Sequence, residues 1–286
     1  MNAKEDLAGR SVLVANRGEI ARRIIRGAQA LGMRAIAVHT DEDRGLPYVT
    51  EADQSFELGA SALRSPYLDE ALILDAATAT GADSIHPGYG FMSERSSFAV
   101  ATAAAGVLWV GPTASAIDQM GDKVRAKALM RAAGVPVLPG SDGPITALAD
   151  ARAVADRIGY PVMVKASAGG GGMGIVIARD VEQLEAGFAS AQARAERLFG
   201  DPAMLVERYV EHARHIEVQI FGRTGVGVLA LGDRDCSVQR RHQKVVEEAP
   251  SPYVTAELRD ALAAAAVIAG EAIDYRNAGT VEFVVD

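Results

Sequence analysis

The sequence predicts two α/β domains in tandem, and three observations point there. Over about the first 110 residues, short β-branched runs alternate with amphipathic stretches, the order of a parallel sheet flanked by helices. The turn-rich stretch GVPVLPGSDGPI (134–145) then interrupts that pattern. Beyond it, HIEVQIF, GVGVLALGD and GTVEFVVD alternate apolar and polar residues like half-buried antiparallel strands. The first region is therefore Rossmann-like and the second α+β.

Taken in order, SVLVA (11–15) reads as a buried strand and GEIARRIIRGAQALG (18–32) as the helix behind it. RAIAVHT (34–40) is the next strand. After QSFELG come a helical pattern near 67–80, a short strand DSIHPG (83–88), a helix near 93–105 and a strand VLWVG (107–111). Their continuous apolar runs suit strands covered on both faces. In the second region LADARAVADRIG (148–159) is helical, PVMVKA (161–166) and GIVIARD (174–180) are strands, a helix follows near 181–198, and AMLVERYV (203–210) is a strand. No internal repeat or low-complexity tract is visible.

Composition bounds the function. With 286 residues, 49% of them hydrophobic, the chain can bury a full core. A net charge of -8 argues against non-specific nucleic-acid binding, so any anionic substrate must be met by local positive charge. The N-terminus, MNAKEDLAGR, lacks an apolar signal core, and no run approaches the roughly 18 apolar residues that span a bilayer. The single cysteine, Cys236, cannot form an internal disulfide. The expected location is the cytoplasm, with neither membrane nor nucleic acid as partner.

The stretch KASAGGGGMG (165–174) places four consecutive glycines after a strand-ending lysine. Gly169, Gly171 and Gly174 satisfy G-x-G-x-x-G, but that dinucleotide fingerprint needs a helix next, and IVIARD reads as a strand. A Walker loop fails because Met173 and Gly174 stand where lysine and a hydroxyl residue belong. A kinase loop fits Gly169 to Val176, yet no H-R-D or D-F-G follows. What survives is a glycine-rich hairpin tip whose amides can close over an anion, with Lys165 adding a full charge beneath it. The plain alternative is a surface hairpin, against which stands about 1 kcal/mol of backbone entropy per glycine.

Three further features concern charge. In RHIEVQIF, His215, Glu217 and Gln219 share one strand face while Ile216, Val218 and Ile220 share the other; the polar row faces either water or a ligand. In DRDCSVQRRHQKVVEEAP (233–250), Arg240, Arg241, His242 and Lys244 fall within five positions, a place to gather anions or else a solvated charged loop. Glu282 projects from the apolar strand GTVEFVVD, and a carboxylate there needs a partner or a metal such as Mg²⁺.

Together these stretches resemble the biotin carboxylases, the ATP-grasp part of biotin-dependent acyl-CoA and pyruvate carboxylases. The matching residues are VLVANRGEIARRIIR (12–26), HPGYGFMSE (86–94), MGDKVRAK (120–127), VKASAGGGGMG (164–174), RHIEVQIFG (214–222) and RDCSVQRRHQKVVEEAP (234–250). They span the chain from about residue 10 onward, and RRHQKVVEEAP is the most specific of them. The resemblance implies a Rossmann-like N-terminal domain over residues 1–120, followed by an incomplete ATP-grasp (α+β) domain over 121–286 whose flap lies at about 138–209.

Roles follow from the resemblance position by position. Lys123 and Lys165 would contact ATP phosphates, with Gly171 and Gly172 in the flap above them. Glu207, Arg208, Tyr209 and Val210 match the stretch that holds adenine largely through backbone, Arg208 standing as an arginine–lysine exchange against the family pattern. His215, Gln239 and His242 correspond to nucleotide-contacting positions, Lys244 to the catalytic, bicarbonate-binding lysine, Glu282 to a ligand of Mg²⁺ or Mn²⁺, and Glu217 to a residue supporting them. The implied reaction is ATP-dependent carboxylation of carrier-bound biotin with bicarbonate through carboxyphosphate. Implied partners are a biotin carrier protein and the carboxyltransferase of an acetyl-CoA, propionyl-CoA or pyruvate carboxylase, and the resemblance is compatible with a homodimer.

Three departures qualify the resemblance. Met173 stands where the family has lysine or arginine, and Ile175 where it has methionine. The family's second metal-binding glutamate, its Glu-x-Asn-x-Arg stretch and its biotin-contacting arginine are expected beyond Asp286. Two other classes stay open: another ATP-grasp carboxylate ligase, such as a carbamoyl-phosphate synthetase, and a non-catalytic nucleotide-binding module. The chain of residues 1–286, assayed alone, is expected to show no biotin-dependent ATP turnover. Bicarbonate- and biotin-dependent phosphate release from it would contradict that expectation.

Overall fold

A computed structural model describes residues 6–60, 66–167, 175–240 and 243–286. It divides into two compact units, Met1–Gly121 and Asp122–Asp286. Among the described residues, no helix is long and apolar enough to cross a membrane.

Among the described residues the first unit holds five strands, β1 (Ser11–Val14), β2 (Arg34–His39), β3 (Gln54–Glu57), β4 (Ser84–His86) and β5 (Leu108–Trp109). All pair in parallel, in the order β3-β2-β1-β4-β5. Alternation along β1 and β2 serves both faces. Val12, Val14, Ala35 and Ala37 pack with Ala21 and Ile25 of helix α1 (Gly18–Ala30) and with Tyr48 of the short helix α2 (Pro47–Thr50). Leu13, Ile36 and Val38 meet Ile73 of α3 (Glu70–Thr80) and Phe98 of α4 (Ser96–Ala104) on the other side. Burial on both faces explains the uninterrupted apolar runs. Asp69 caps α3 through the Leu72 amide, and Gly81, at φ 61°, closes it in the left-handed conformation that glycine adopts without strain.

Among its described residues the second unit contains two antiparallel sheets. Strands β6 (Val162–Ala166), β7 (Val176–Ala178) and β8 (Met204–Arg208) run in the order β7-β6-β8. Their inner residues Val162, Val164, Met204 and Val206 share a core with Ala151 of the helix Leu148–Ile158 and with Leu184 and Phe188 of the helix Val181–Phe199. Alternation leaves Lys165 and Glu207 on the opposite, open face.

The larger sheet has the order β11-β10-β9-β12, from β9 (Arg214–Arg223), β10 (Gly227–Arg240), β11 (Gln243–Glu248) and β12 (Asn277–Val285). Ile216, Val218 and Ile220 of β9 pack on Leu262 and Ala266 of the helix Ala256–Ala272, so the other face of β9 carries His215, Glu217 and Gln219.

Several elements depart from the sequence expectation. The expected strands at 83–88 and 107–111 shorten to Ser84–His86 and Leu108–Trp109. The block 233–250 is not a charged loop: its described residues lie mainly in β10 and β11. Helices Ala114–Gly121, Lys123–Ala132 and Ala256–Ala272 were not legible. Lys123–Ala132 has no fully buried residue, and Ala256–Ala272 is so alanine-rich that its apolar stripe lacks contrast.

Phe188 is 2% exposed at the centre of the smaller sheet's core. Its replacement by alanine is expected to destabilise the second unit by about 3–5 kcal/mol, read from a denaturant titration.

Candidate functional site

The larger sheet places two carboxylates directly opposite one another. In register, Glu217 of β9 faces Glu282 of β12 on one side and Arg234 of β10 on the other. Like charges across a strand pair repel, so the arrangement needs cations. Lys244 of β11 supplies one: its Nζ donates to Glu217 Oε2 and, at 2.9 Å, to Glu282 Oε1. Arg234 supplies the other, donating from Nε to Glu217 Oε1 at 2.5 Å and from Nη1 to Gln219 Oε1 at 3.1 Å. Glu217 is 3% exposed and saturated by this pair, so the polar row of β9 is not a solvated face.

Gln239 and His215 extend the network. Gln239 Nε2 donates to the Cys236 carbonyl at 2.8 Å and to His215 Nδ1 at 2.7 Å. With Nδ1 accepting, a neutral His215 carries its proton on Nε2, which lies 3.3 Å from Glu282 Oε1 without forming a hydrogen bond.

Charge states follow from these contacts. Burial alone would raise the Glu217 carboxyl, but hydrogen bonds from Lys244 and Arg234 outweigh it and hold the group below the usual carboxylate range. Burial likewise acts to lower Lys244, and its bonds to Glu217 and Glu282 prevail, raising it. Burial pushes the neighbouring Cys236 thiol up to about 11, which leaves it protonated at neutral pH. Two cations and two anions therefore cancel within the cluster.

Among the described residues, His215, Glu217 and Glu282 form one of two groups close enough to hold a metal, the other being Glu217, Cys236 and Glu247. A hard divalent cation such as Mg²⁺ prefers carboxylate oxygens and commonly takes one or two of them alongside phosphates. Glu282 fits that role, since its side chain is 54% exposed and both its contacts fall on Oε1. Glu217, with both oxygens engaged by cations, does not.

A second cluster lies on the open face of the smaller sheet. Lys165 is paired with Leu205 across β6 and β8, and Glu207 stands two residues further along the same face, within diagonal reach. Lys165 Nζ meets Glu207 Oε2 at 2.5 Å, and Lys127 Nζ meets Oε1 at 3.1 Å. Burial again acts to raise the carboxyl, but the bonds to Lys165 and Lys127 outweigh it and hold the group below its ordinary value.

Lys123 begins the helix Lys123–Ala132, whose preceding Asp122 caps it by accepting from the Val124 and Arg125 amides at 2.8 and 3.0 Å. Lys123, Lys127, Ser141 and Glu207 line one pocket.

The remaining expected residues are placed as follows. Arg208 Nη1 donates to the Ile158 carbonyl at 3.0 Å, so its side chain closes a helix end. The amides of Arg208 and Tyr209 donate to the Pro139 and Pro161 carbonyls, each at 2.9 Å, and Val210 lies just past the end of β8. Gly171, Gly172 and His242, with the departure at Met173, lie outside the described residues. Sequence reasoning missed Arg234 and Lys127. Lys127 shares a face with Lys123 only on a helix that was not legible, and its partner Glu207 lies 80 positions away. Arg234 had no signal either, because its partner depends on strand register.

Comparison with known proteins shows the family. Residues 8–117 match the biotin carboxylase N-terminal domain, and residues 122–286 the ATP-binding domain of the carbamoyl-phosphate synthase L chain. A biotin carboxylase of Halalkalibacterium halodurans is 49% identical over 277 residues, covering 97% of this chain and 61% of that protein. The chain belongs to the biotin carboxylase family. The crystal structure of a biotin carboxylase–βγ-ATP complex from Campylobacter jejuni matches with a TM-score of 0.91 at 42% identity, over 99% of this chain and 63% of that one. The biotin carboxylase domain dimer of Hydrogenobacter thermophilus 2-oxoglutarate carboxylase, in complex with MgADP, ADP and bicarbonate, matches at 0.87 and 43% identity over 97% and 61%. The chain spans between 37% and 62% of the length of the curated relatives it matches.

Because the folded carboxyl of Glu217 lies below its unfolded value of about 4.3, its contribution to stability is present above that pH and lost as pH falls toward the folded value. Denaturant midpoints measured from pH 6 down to about pH 3 are expected to fall more steeply for the parent than for Glu217→Gln.

Proposed function

We propose that the chain is the nucleotide- and bicarbonate-handling part of a biotin-dependent carboxylase, the whole of which carboxylates carrier-bound biotin with ATP and bicarbonate. The observation that supports this best is Lys244, held between Glu217 and Glu282 with Arg234 behind them. An ammonium group has three N–H donors, and two are used there. The third can orient bicarbonate.

In this reading residues 1–120 form the N-terminal domain and 121–286 the ATP-grasp domain, with the flap at about 138–209. Adenine is held along Glu207, Arg208, Tyr209 and Val210, chiefly by backbone. His215, Gln239 and His242 contact the nucleotide, and Lys123 and Lys165 its phosphates. Gly171 and Gly172 cover the phosphates from the flap and keep water from the products. Glu282 would be among the residues that hold Mg²⁺, which when bound would offset charge on the phosphate oxygens. That positive charge matters because the Lys244 cluster has none to spare.

A bicarbonate oxygen then attacks the γ-phosphorus in line, forming one P–O bond as the bond to ADP breaks. Carboxyphosphate falls to CO₂ and phosphate, the phosphate takes the N1 proton of biotin, and that nitrogen is carboxylated. A biotin carrier protein and a carboxyltransferase complete the system. The Hydrogenobacter relative, a dimer with MgADP and bicarbonate, supports the ligands and a dimeric state for this chain.

Titration calorimetry with Mg-ATP tests the nucleotide part. Lys165→Ala is expected to weaken binding about 10- to 100-fold, the loss of a hydrogen bond between charged groups. Unchanged binding would remove Lys165 from the phosphate site.

A further inference from the structure

We infer that Lys127 is a positioning residue for the proposed nucleotide site: it keeps the Glu207 carboxylate paired, so that Lys165 can be given over to phosphate. This rests on the assignment of Lys165 to the ATP phosphates. The two lysines occupy different oxygens of one carboxylate, Lys165 on Oε2 at 2.5 Å and Lys127 on Oε1 at 3.1 Å. Lys127 and Glu207 are also well enclosed, at 17% and 14% side-chain exposure.

Such a carboxylate cannot lose its only cation cheaply. A buried charge left without a partner costs more than the pair ever contributed. Whenever Lys165 is drawn toward a triphosphate, Glu207 loses some or all of its compensation on Oε2. With Lys127 in place the carboxylate stays neutralised and hydrogen-bonded. Without Lys127, Glu207 would hold Lys165 as its principal counter-ion, and phosphate would have to compete for it.

Local architecture supports a fixed role for Lys127. Asp122 caps the helix that carries it, and Lys127 is one turn on from Lys123 in the wall of the same pocket. Gly140 lies against this pair: a Cβ there would come within 2.9 Å of Lys127 Nζ and 2.6 Å of the Val206 carbonyl oxygen. The segment therefore approaches so closely that no side chain fits, which encloses the ammonium group at that position.

The test is a double-mutant cycle on Mg-ATP affinity, measured by calorimetry on the whole chain. Lys127→Met is expected to weaken binding about 10- to 100-fold, and Lys127→Arg, which keeps the charge, to remain near the parent. In a Glu207→Gln background no carboxylate is left unpaired, so adding Lys127→Met should change affinity by no more than about twofold. Equal losses in both backgrounds would mean that Lys127 touches the nucleotide itself and would overturn the inference. So would unchanged affinity in Lys127→Met, or loss of binding in Glu207→Gln alone. If Lys127→Met fails to fold, as urea titration would show, Glu207→Gln with and without Lys127→Met decides the matter alone. Parallel measurement of Lys165→Ala separates the two ideas, since a neutral effect there refutes the phosphate assignment instead.

Discussion

Lys244 bridging Glu217 and Glu282 is the constraint on which the larger sheet depends. Its two carboxylates come from adjacent strands, while the lysine comes from the far edge, three strands from Glu282 in the order β11-β10-β9-β12. Three strand spacings of about 4.8 Å each exceed the reach of a lysine side chain over a flat sheet. The sheet must therefore curl, and β10 breaks register against β11 twice, between Asp235 and Val238 and between Val238 and Gln239. Irregularities of this kind bend a strand and increase its twist. The exit of β11 is pinned as well. Buried Asp233 accepts from Arg259 Nε at 2.6 Å and from the Ser251 amide at 2.8 Å, and Asp235 accepts from Ser251 Oγ at 3.3 Å.

The same economy of charge governs the smaller sheet. Any acidic chain that is to bind anions has to concentrate cations locally, and cations in partly buried positions need carboxylates to hold them. Glu217 and Glu207 fill that role in their separate clusters, the first buried and the second half-buried, each paired with two cations on different oxygens. No hydrogen bond or ion pair joins the two clusters among the described residues. One cluster holds a lysine between two carboxylates, and the other a carboxylate shared by two lysines. The proposed chemistry uses both.

Much of this was readable from residue order. Period-two alternation placed His215, Glu217 and Gln219 together on one face of β9, and continuous apolar runs marked the parallel sheet of the first unit. Glu282 stood out as a carboxylate in an apolar strand, and Lys165 as a charge ending one. Alternation could not distinguish a wet face from a buried charge network, however, because both give the same pattern. Nor could it anticipate that the cation-rich block 233–250 forms strands, since its turn and charge content is that of a loop.

The sequence by itself determined the order of elements, the faces that turn inward and the residue types available for chemistry, because these follow from periodicity and side-chain identity along one chain. Only the tertiary structure decided which charges meet. Arg234 reaches Glu217 through β9–β10 register, Glu282 opposes Glu217 through β9–β12 register, and Lys127 finds Glu207 across 80 positions of sequence. Such pairings are set by how strands align and curl and by how a helix packs beside them. They have no local signature, since each partner is ordinary until the fold brings the other within about 3 Å.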